Sequence, residues 1–388
     1  MSVVLLALLL AAMAMVPMAS AAVNADEQIR GEIIENNYIS PDTARTSALN
    51  VMQQFVTSKT LDGNWNNATL NSAPSVIFDV NGKRLFYLFS VEKNGKKIGE
   101  IQAAASKALG GAVVTIGTTS YLDILDKTVT KSKAATEDQY KNFKIIDQKI
   151  VSYNYPKLGV LTQLSNPVTN ETKELLYDAS DFHIVSNSDT HSFYSDIPVT
   201  EMSARVSKWN TENTEGLKKT VSLSPNAVTT TYRLSGFTLY PQINDYWCAL
   251  ATAQMISKWW NVVRTQPGIA TTVNIGPTQG ITYTDMLTKY YQKAQSSGGL
   301  GKTGSTPVIG GPTTLFTTVK TEIDANRPVA ISTIQHARAV AGWQITTGSP
   351  DSHYFYLYDP WPANYGAIYM EDFDIARNSY IGSILVKN

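Results

Sequence analysis

The sequence contains one cysteine, Cys248, among 388 residues. A single thiol cannot form an intramolecular disulfide, so the fold must depend on its hydrophobic core. Hydrophobic residues make up 43% of the chain, which is sufficient for such a core. Zinc sites built from two or four cysteines are excluded by the same count. Because a lone thiol is open to oxidation unless it is buried or used, Cys248 is the first candidate for a functional residue.

Charged side chains are also scarce, at 16% of the sequence. The 32 Lys and Arg balance the 32 Asp and Glu, so the formal net charge is zero. This balance excludes a generally basic nucleic-acid-binding protein and an acidic disordered chain. We therefore expect no nucleic-acid partner. The patterns predict no cofactor and no metal, and the length predicts two domains.

Long apolar runs are absent except at the N-terminus, where Val3 to Met18 carry no charge. The sequence Ala19-Ser20-Ala21 follows, which suits signal peptidase, although the first basic residue is only Arg30. The run of sixteen residues is short for a membrane span of about twenty. We expect a cleaved signal peptide over residues 1–22, a secreted or cell-surface protein and no membrane span after its removal. A retained membrane anchor is the alternative.

The region after the signal peptide, residues 23–186, is predicted to be an N-terminal α+β domain. Residues 40–57 have apolar side chains at helical spacing. Two Asn-Gly dipeptides then separate β-rich runs, a pattern typical of a meander because both turn positions need positive φ. The predicted strands are Ser75–Val80, Arg84–Val91 and Lys97–Ala105.

The second half of this domain is less regular. A charged stretch at 136–150 predicts a helix, and short strands are predicted at 158–164 and 173–178. Residues 187–235 are rich in Ser, Thr and Asn, which predicts a polar linker. Residues 236–388 form the second predicted domain, of ordinary size for one core.

Cys248 precedes an alanine-rich segment, Ala249–Trp260, that is apolar all round. This pattern predicts a buried helix that begins at or near Cys248. The free N–H groups and the dipole at a helix N-terminus stabilise an anion and so lower the pKa of a thiol. The alternative is a buried cysteine that only fills space.

A nucleophilic cysteine needs a base, and the sequence has four histidines. His183 and His191 precede the second predicted domain. His336 and His353 each begin a predicted strand, and the second of these strands ends at Asp359. If the two strands are antiparallel neighbours, His336 lies beside Asp359, whereas His353 lies about 20 Å away at the far end of its strand. His336 is thus the better candidate for the base.

Four stretches, in this order, resemble the papain-like cysteine peptidases, most of all their C39-like branch, with features of the related C70 type. The matching stretches are Pro241–Trp260, Arg327–Ile331, His336–Trp343 and Tyr358–Trp361. The resemblance covers residues 235–388. It implies an α+β fold in which a helix carrying the cysteine packs on an antiparallel sheet carrying the histidine and the aspartate. The helix-plus-meander domain would precede this fold.

The resemblance also implies a role for each matching residue. Cys248 would be the nucleophile, His336 its base, Asp359 the residue that orients the histidine, and Gln242 a donor to the oxyanion. Many relatives have glycine where this chain has Gln335, before the histidine. They also have glycine after the cysteine, where this chain has alanine.

The function predicted is an exported cysteine peptidase that cleaves peptide or amide bonds in a polypeptide or cell-wall peptide. Its N-terminal domain would be a prodomain that acts as an intramolecular inhibitor. Two alternatives stay open at this point. One is an acyl-transfer enzyme or cell-wall peptide-crosslink hydrolase with the same triad. The other is a non-enzymatic surface or adhesion module on a papain-like fold.

Overall fold

The computed structural model describes residues 18–118, 121–218, 229–308, 312–347 and 351–388. Most of the predicted signal peptide, residues 1–17, lies outside the described residues. Part of the predicted linker, residues 219–228, does so too. Within the described ranges, no helix combines the length and the apolar character that a membrane span requires.

Helices and strands both contribute to the fold, which is of the predicted α+β class. The α-helices are α1 (Met18–Asn36), α2 (Pro41–Thr57), α3 (Tyr121–Gln139), α4 (Val199–Lys218), α5 (Cys248–Trp259), α6 (Gln266–Val273), α7 (Tyr283–Met286), α8 (Pro312–Asp324) and α9 (Phe373–Ala376). The first strands are β1 (Thr69–Leu70), β2 (Ser75–Asp79), β3 (Arg84–Lys93), β4 (Lys96–Ala104), β5 (Val113–Gly117), β6 (Lys144–Asn154), β7 (Lys157–Ser165) and β8 (Thr172–Asp178). The later strands are β9 (Thr229–Arg233), β10 (Thr306–Val308), β11 (Val329–Thr333), β12 (His336–Thr346), β13 (Ser352–Asp359), β14 (Ala367–Asp372) and β15 (Tyr380–Leu385).

The predicted helix and three-stranded meander are present in the first unit as α2 and β2–β4. Ser40 caps α2 by accepting a hydrogen bond from the Thr43 N–H at 3.1 Å. Asn94 and Gly95 both have positive φ, as the tight turn between β3 and β4 requires. One face of α2 packs on the meander, and this core includes Ala48 and Phe55.

The prediction of a helix at 136–150 is wrong over most of that range. Helix α3 ends at Gln139, and residues 144–154 are strand β6. This strand pairs along its length with β7 and, near its end, in parallel with β2. Pairing with two strands of the sheet outweighs the local charge pattern, because helix propensity is a weak preference that tertiary contacts override.

Residues 187–235, predicted as a polar linker, contain helix α4 and strand β9. Met202 and Trp209 of α4 are buried. The Arg205 guanidinium donates to the carbonyl oxygens of Leu109 and Ile375, at 3.0 and 3.2 Å. Helix α4 therefore packs between the two halves of the chain. Few large apolar residues are enough to dock a helix when a buried arginine also anchors it. The domain boundaries themselves stay predictions.

The C-terminal half is built on antiparallel strands in the order β10-β15-β11-β12-β13-β14. Helix α5 packs on β12, and the Thr252 hydroxyl of the helix donates to the Ala337 carbonyl of the strand at 3.1 Å. Strand β9 pairs with the second half of β12. The helix that begins at Cys248 and the strand that begins at His336 are thereby held face to face.

Strand β14 joins the two halves into one sheet by pairing with β5 of the first unit, where Tyr369 lies opposite Gly117. A Cβ atom on Gly117 would lie 2.4 Å from the Ile368 carbonyl oxygen, so this close approach requires glycine. Strand order then continues through β4, β3, β2, β6, β7 and β8. The first unit is therefore hydrogen-bonded to the sheet that carries His336 and Asp359.

Candidate active site

Cys248 is the first residue of α5, as the sequence predicts. The residue is 8% exposed and lines a pocket of about 560 Å³. The first turn of a helix has N–H groups without intrahelical partners, and these groups and the helix dipole favour a negative charge. The thiol thus lies where a thiolate is stabilised and where a ligand in the pocket can reach it.

His336 and Asp359 lie side by side because β12 begins at His336 and the antiparallel β13 ends at Asp359. The distance from His336 Nε2 to Asp359 Oδ1 is 2.7 Å, and both side chains are fully buried. His336 Nδ1 has no aligned hydrogen bond within the described residues. With Nε2 held by the carboxylate, Nδ1 is the ring nitrogen left for the thiol.

Cys248 and His336 shift each other's pKa. Burial alone raises the pKa of the thiol, but the neighbouring His336 and the positive charge of Lys157 outweigh it, and the net pKa of Cys248 is lowered. Burial lowers the pKa of His336, but Asp359 and Cys248 outweigh it, and the net pKa is raised. Both shifts favour a thiolate beside an imidazolium, the reactive form of a cysteine nucleophile.

Asp359 is held by donors on every side. Its Oδ1 accepts the Trp361 backbone N–H at 2.8 Å, and its Oδ2 accepts the Tyr369 hydroxyl at 2.7 Å. Burial raises the pKa of Asp359, but His336, the buried Arg338 and the Tyr369 hydroxyl outweigh this effect, and the net pKa is lowered. The carboxylate is therefore ionised and fixed in orientation. Tyr369 lies outside the matching stretches, and Arg338 lies within His336–Trp343 but no sequence pattern assigns it a role.

Gln242 is completely buried, but its side chain points into its own turn in this structure. Its Nε2 donates to the Asn244 carbonyl at 2.9 Å, and its backbone N–H donates to the Pro360 carbonyl at 3.0 Å. It is not among the residues that line the pocket. The fold thus ties Gln242 to the loop after Asp359, and its contribution to an oxyanion hole stays a prediction.

His353 lies at the opposite end of β13 from Asp359, paired in register with Ile345. Its Nδ1 is 3.2 Å from an Asp374 carboxylate oxygen. It does not line the pocket that contains Cys248. The antiparallel argument from the sequence therefore places both histidines correctly.

Gln335 precedes His336 in the turn between β11 and β12 and has a φ of 56°. This left-handed conformation favours glycine, which accounts for the glycine expected there from the resemblance. In this chain the Gln335 side chain makes a contact that glycine lacks, since its Oε1 accepts a hydrogen bond from Asn154 Nδ2 at 3.2 Å. Asn154 belongs to the first half of the chain.

One wall of the pocket comes from that first half. The residues of this wall are Tyr153, Lys157, His183, Val185 and Asp189. The tip of the β6–β7 hairpin also docks directly beside the site, because the Thr333 hydroxyl donates to the Tyr155 carbonyl at 3.0 Å. The Tyr155 hydroxyl donates to Glu371, which pairs with Arg338. These contacts join residues about 180 to 220 positions apart, so no local sequence pattern predicts them.

Comparisons with known proteins found similarities to part of this chain. The model of the peptidase C39-like family matches residues 234–382. Among solved structures, the chain is similar to the peptidase domain of Streptococcus ComA, described as a bi-functional ABC transporter involved in a quorum sensing pathway. That similarity has 16% identity and a TM-score of 0.28, and covers 39% of this chain and 99% of the other. No curated protein matches the chain. On the family match, residues 234–382 are a C39-like domain, of the cysteine-type peptidase class.

Proposed function

We propose that the protein is an exported cysteine peptidase that cleaves amide bonds in a polypeptide or cell-wall peptide. Cys248 is the nucleophile, His336 the general base and Asp359 the residue that orients the histidine. The observation that carries the proposal is the 2.7 Å contact between His336 Nε2 and Asp359, which leaves Nδ1 for a thiol that lines the same pocket.

The reaction follows from these positions. His336 takes the thiol proton, and the Cys248 sulfur attacks the substrate carbonyl carbon to form a C–S bond. The resulting oxyanion accepts hydrogen bonds at the N-terminus of α5, from the Cys248 N–H, and from Gln242 once its amide turns from Asn244. The imidazolium then protonates the leaving amine as the C–N bond breaks. Water, deprotonated by His336, finally hydrolyses the thioester and frees the thiol.

The first test is the pH dependence of Cys248 alkylation by iodoacetamide, which needs no knowledge of the substrate. Only the thiolate reacts, so the wild-type rate should rise as the pH passes the lowered pKa of Cys248. His336→Ala removes the main cause of that lowering. The variant should react more than about tenfold more slowly near pH 6, with the difference closing at alkaline pH.

His353→Ala is the matched control for this experiment and should retain the wild-type profile, since its ring contacts Asp374. Identical profiles for wild type and His336→Ala would contradict the proposed pair. In turnover assays the Cys248–His336 pair should also give the pH profile a descending limb. Activity should fall again as the pH rises through the raised pKa of His336, because the leaving amine then lacks its acid.

We further propose that the N-terminal half restrains the enzyme, which makes the chain a zymogen. The support is the position of the β6–β7 hairpin, whose tip is bonded to Thr333 and Gln335 immediately before His336. Lys157, next in the hairpin, is 9% exposed and lines the pocket with Cys248. A polypeptide substrate that extends along this side of the pocket would have to displace these residues.

The test is a site-specific protease sequence inserted between residues 218 and 229, ahead of β9. The β5–β14 pairing holds the two fragments together after cleavage. The C-terminal fragment must therefore be separated from the N-terminal fragment before the assay. Turnover should rise at least about tenfold and fall again when the N-terminal fragment is added back. Unchanged turnover from a separated fragment whose Cys248 is still alkylated at the wild-type rate would contradict the zymogen proposal.

A further inference from the structure

We propose that Asp178, Asp181, His183 and Asp245 form a binding site for one divalent transition-metal cation at the rim of the pocket. Each residue offers one ligand atom, and these atoms lie within 4.8 Å of one another. Asp178 is the last residue of β8 and Asp181 and His183 follow that strand, whereas Asp245 lies in the loop three residues before Cys248. The site would therefore connect the two halves of the chain.

The backbone brings the ligands together in a tight turn, in which Phe182 has a φ of 71°. Asp178 Oδ1 accepts the N–H groups of Ser180 and Asp181, at 2.6 and 3.0 Å, which folds the segment back on itself. His183 Nδ1 lies 2.5 Å from Asp181 Oδ1 and 3.2 Å from Asp245 Oδ2. Four ligand atoms around one ion at about 2.1 Å are about 3.4 Å apart. The widest separation between two ligand atoms would thus have to shorten by up to about 1.4 Å.

Asp245 gives independent support for a ligand at this place. It is 8% exposed; within the described residues its Oδ1 has no hydrogen bond, and its Oδ2 contacts His183 Nδ1 at 3.2 Å. A buried carboxylate oxygen without a donor is costly, and native proteins compensate such atoms with hydrogen bonds, charges or metal ions. The cationic group that contacts Asp245 is His183, but this ion pair lacks the alignment of a good hydrogen bond. A cation at the centre of the cluster would compensate both oxygens.

The charges of the cluster also favour a cation. Three carboxylates meet one imidazole, and the charge of Lys157 also acts on Asp178. One nitrogen ligand and three carboxylates suit Zn²⁺ or Mn²⁺ better than Mg²⁺ or Ca²⁺, which prefer oxygen ligands alone.

The alternative is an ion-pair cluster that contains no metal. Hydrogen bonds to Asp181 and Asp245 raise the pKa of His183 to about 10, so without a cation the ring carries a proton. The positive charge of the protonated ring balances the negative charge of one of the three carboxylates. The two readings differ in whether the folded chain binds a cation in a one-to-one ratio.

The experiment uses the full chain with Cys248→Ala, which removes the thiol as a competing zinc ligand and prevents self-cleavage. After dialysis against a chelator, Zn²⁺ and Mn²⁺ are titrated separately by calorimetry, with Ca²⁺ and Mg²⁺ as comparisons. We expect one Zn²⁺ or Mn²⁺ per chain, bound at least about tenfold more tightly than Ca²⁺, and an increase in the unfolding temperature. Asp245→Asn in this background should weaken binding at least tenfold.

Asp196→Asn is the matched control, because Asp196 forms an isolated pair with His191 at 2.7 Å and should leave binding unchanged. If Asp245→Asn impairs folding, His183→Ala tests the same site at an exposed position. No binding to the chelator-treated chain, or equal binding by the Asp245 and Asp196 variants, would overturn the proposal. The measurement does not depend on peptidase activity. Failure of the metal-site proposal can therefore be distinguished from failure of the proposed function.

Discussion

Cys248→Ala is expected to lower peptidase turnover by more than about 10³-fold while the protein stays folded. Loss of the nucleophile removes covalent catalysis, and only binding and the oxyanion donors then remain. The side chain is small and begins a helix whose next residue is alanine, so its removal leaves little cavity. Turnover of peptide substrates by wild type and variant, together with the two unfolding temperatures, checks the prediction.

Cys248→Ser is the informative companion to this variant, because it keeps the shape of the side chain and replaces the sulfur with a poorer nucleophile. It should also be nearly inactive. If Cys248→Ala retained more than about a hundredth of the wild-type turnover with an unchanged fold, Cys248 would not be the nucleophile. That result would favour a binding module on this fold.

His336→Ala is expected to have an effect of similar size, whereas His353→Ala should change turnover by less than about threefold. Both histidines lie within the first two residues of a strand and both contact an aspartate, so they form a matched pair. They differ in position. His336 is buried beside Asp359 and lines the pocket. His353 contacts Asp374 near the other end of β13.

Asp359→Asn should fall between these two variants. An amide oxygen can still accept from His336, but the negative charge that raises the pKa of the imidazole is lost. The Tyr369 hydroxyl and the Trp361 N–H, which donate to the carboxylate, would compete with a new amide donor for position. A larger loss for His353→Ala than for His336→Ala, measured as kcat/KM, would reverse the assignment of the base.

The sequence was sufficient where local rules apply. The turn at Asn94 and Gly95 follows from their tolerance of positive φ, and the helix start at Cys248 follows from the apolar segment after it. The contact between His336 and Asp359 needed only the antiparallel order of two strands. Each of these inferences depends on neighbours in the chain or on one strand pairing.

The rest depends on contacts between distant parts of the chain. Lys157 lies by the thiol because the β6–β7 hairpin docks on the second half. Asp245 meets His183 for the same reason. Gln242 shows a different limit, since its spacing from the cysteine predicts its neighbourhood but not its side-chain conformation, which is set by the Asn244 carbonyl.

The pairing of β5 with β14 has a consequence for the order in which the chain is made. Strand β5 ends at Gly117, and its second partner, β14, spans Ala367–Asp372, much later in the chain. During synthesis the N-terminal half emerges first. The backbone N–H and C=O groups along one edge of β5 then stay unpaired until about 250 further residues have been made. Closure of this edge of β5 therefore coincides with completion of the candidate active site, because the strand that pairs with the edge also carries Tyr369, whose hydroxyl donates to Asp359.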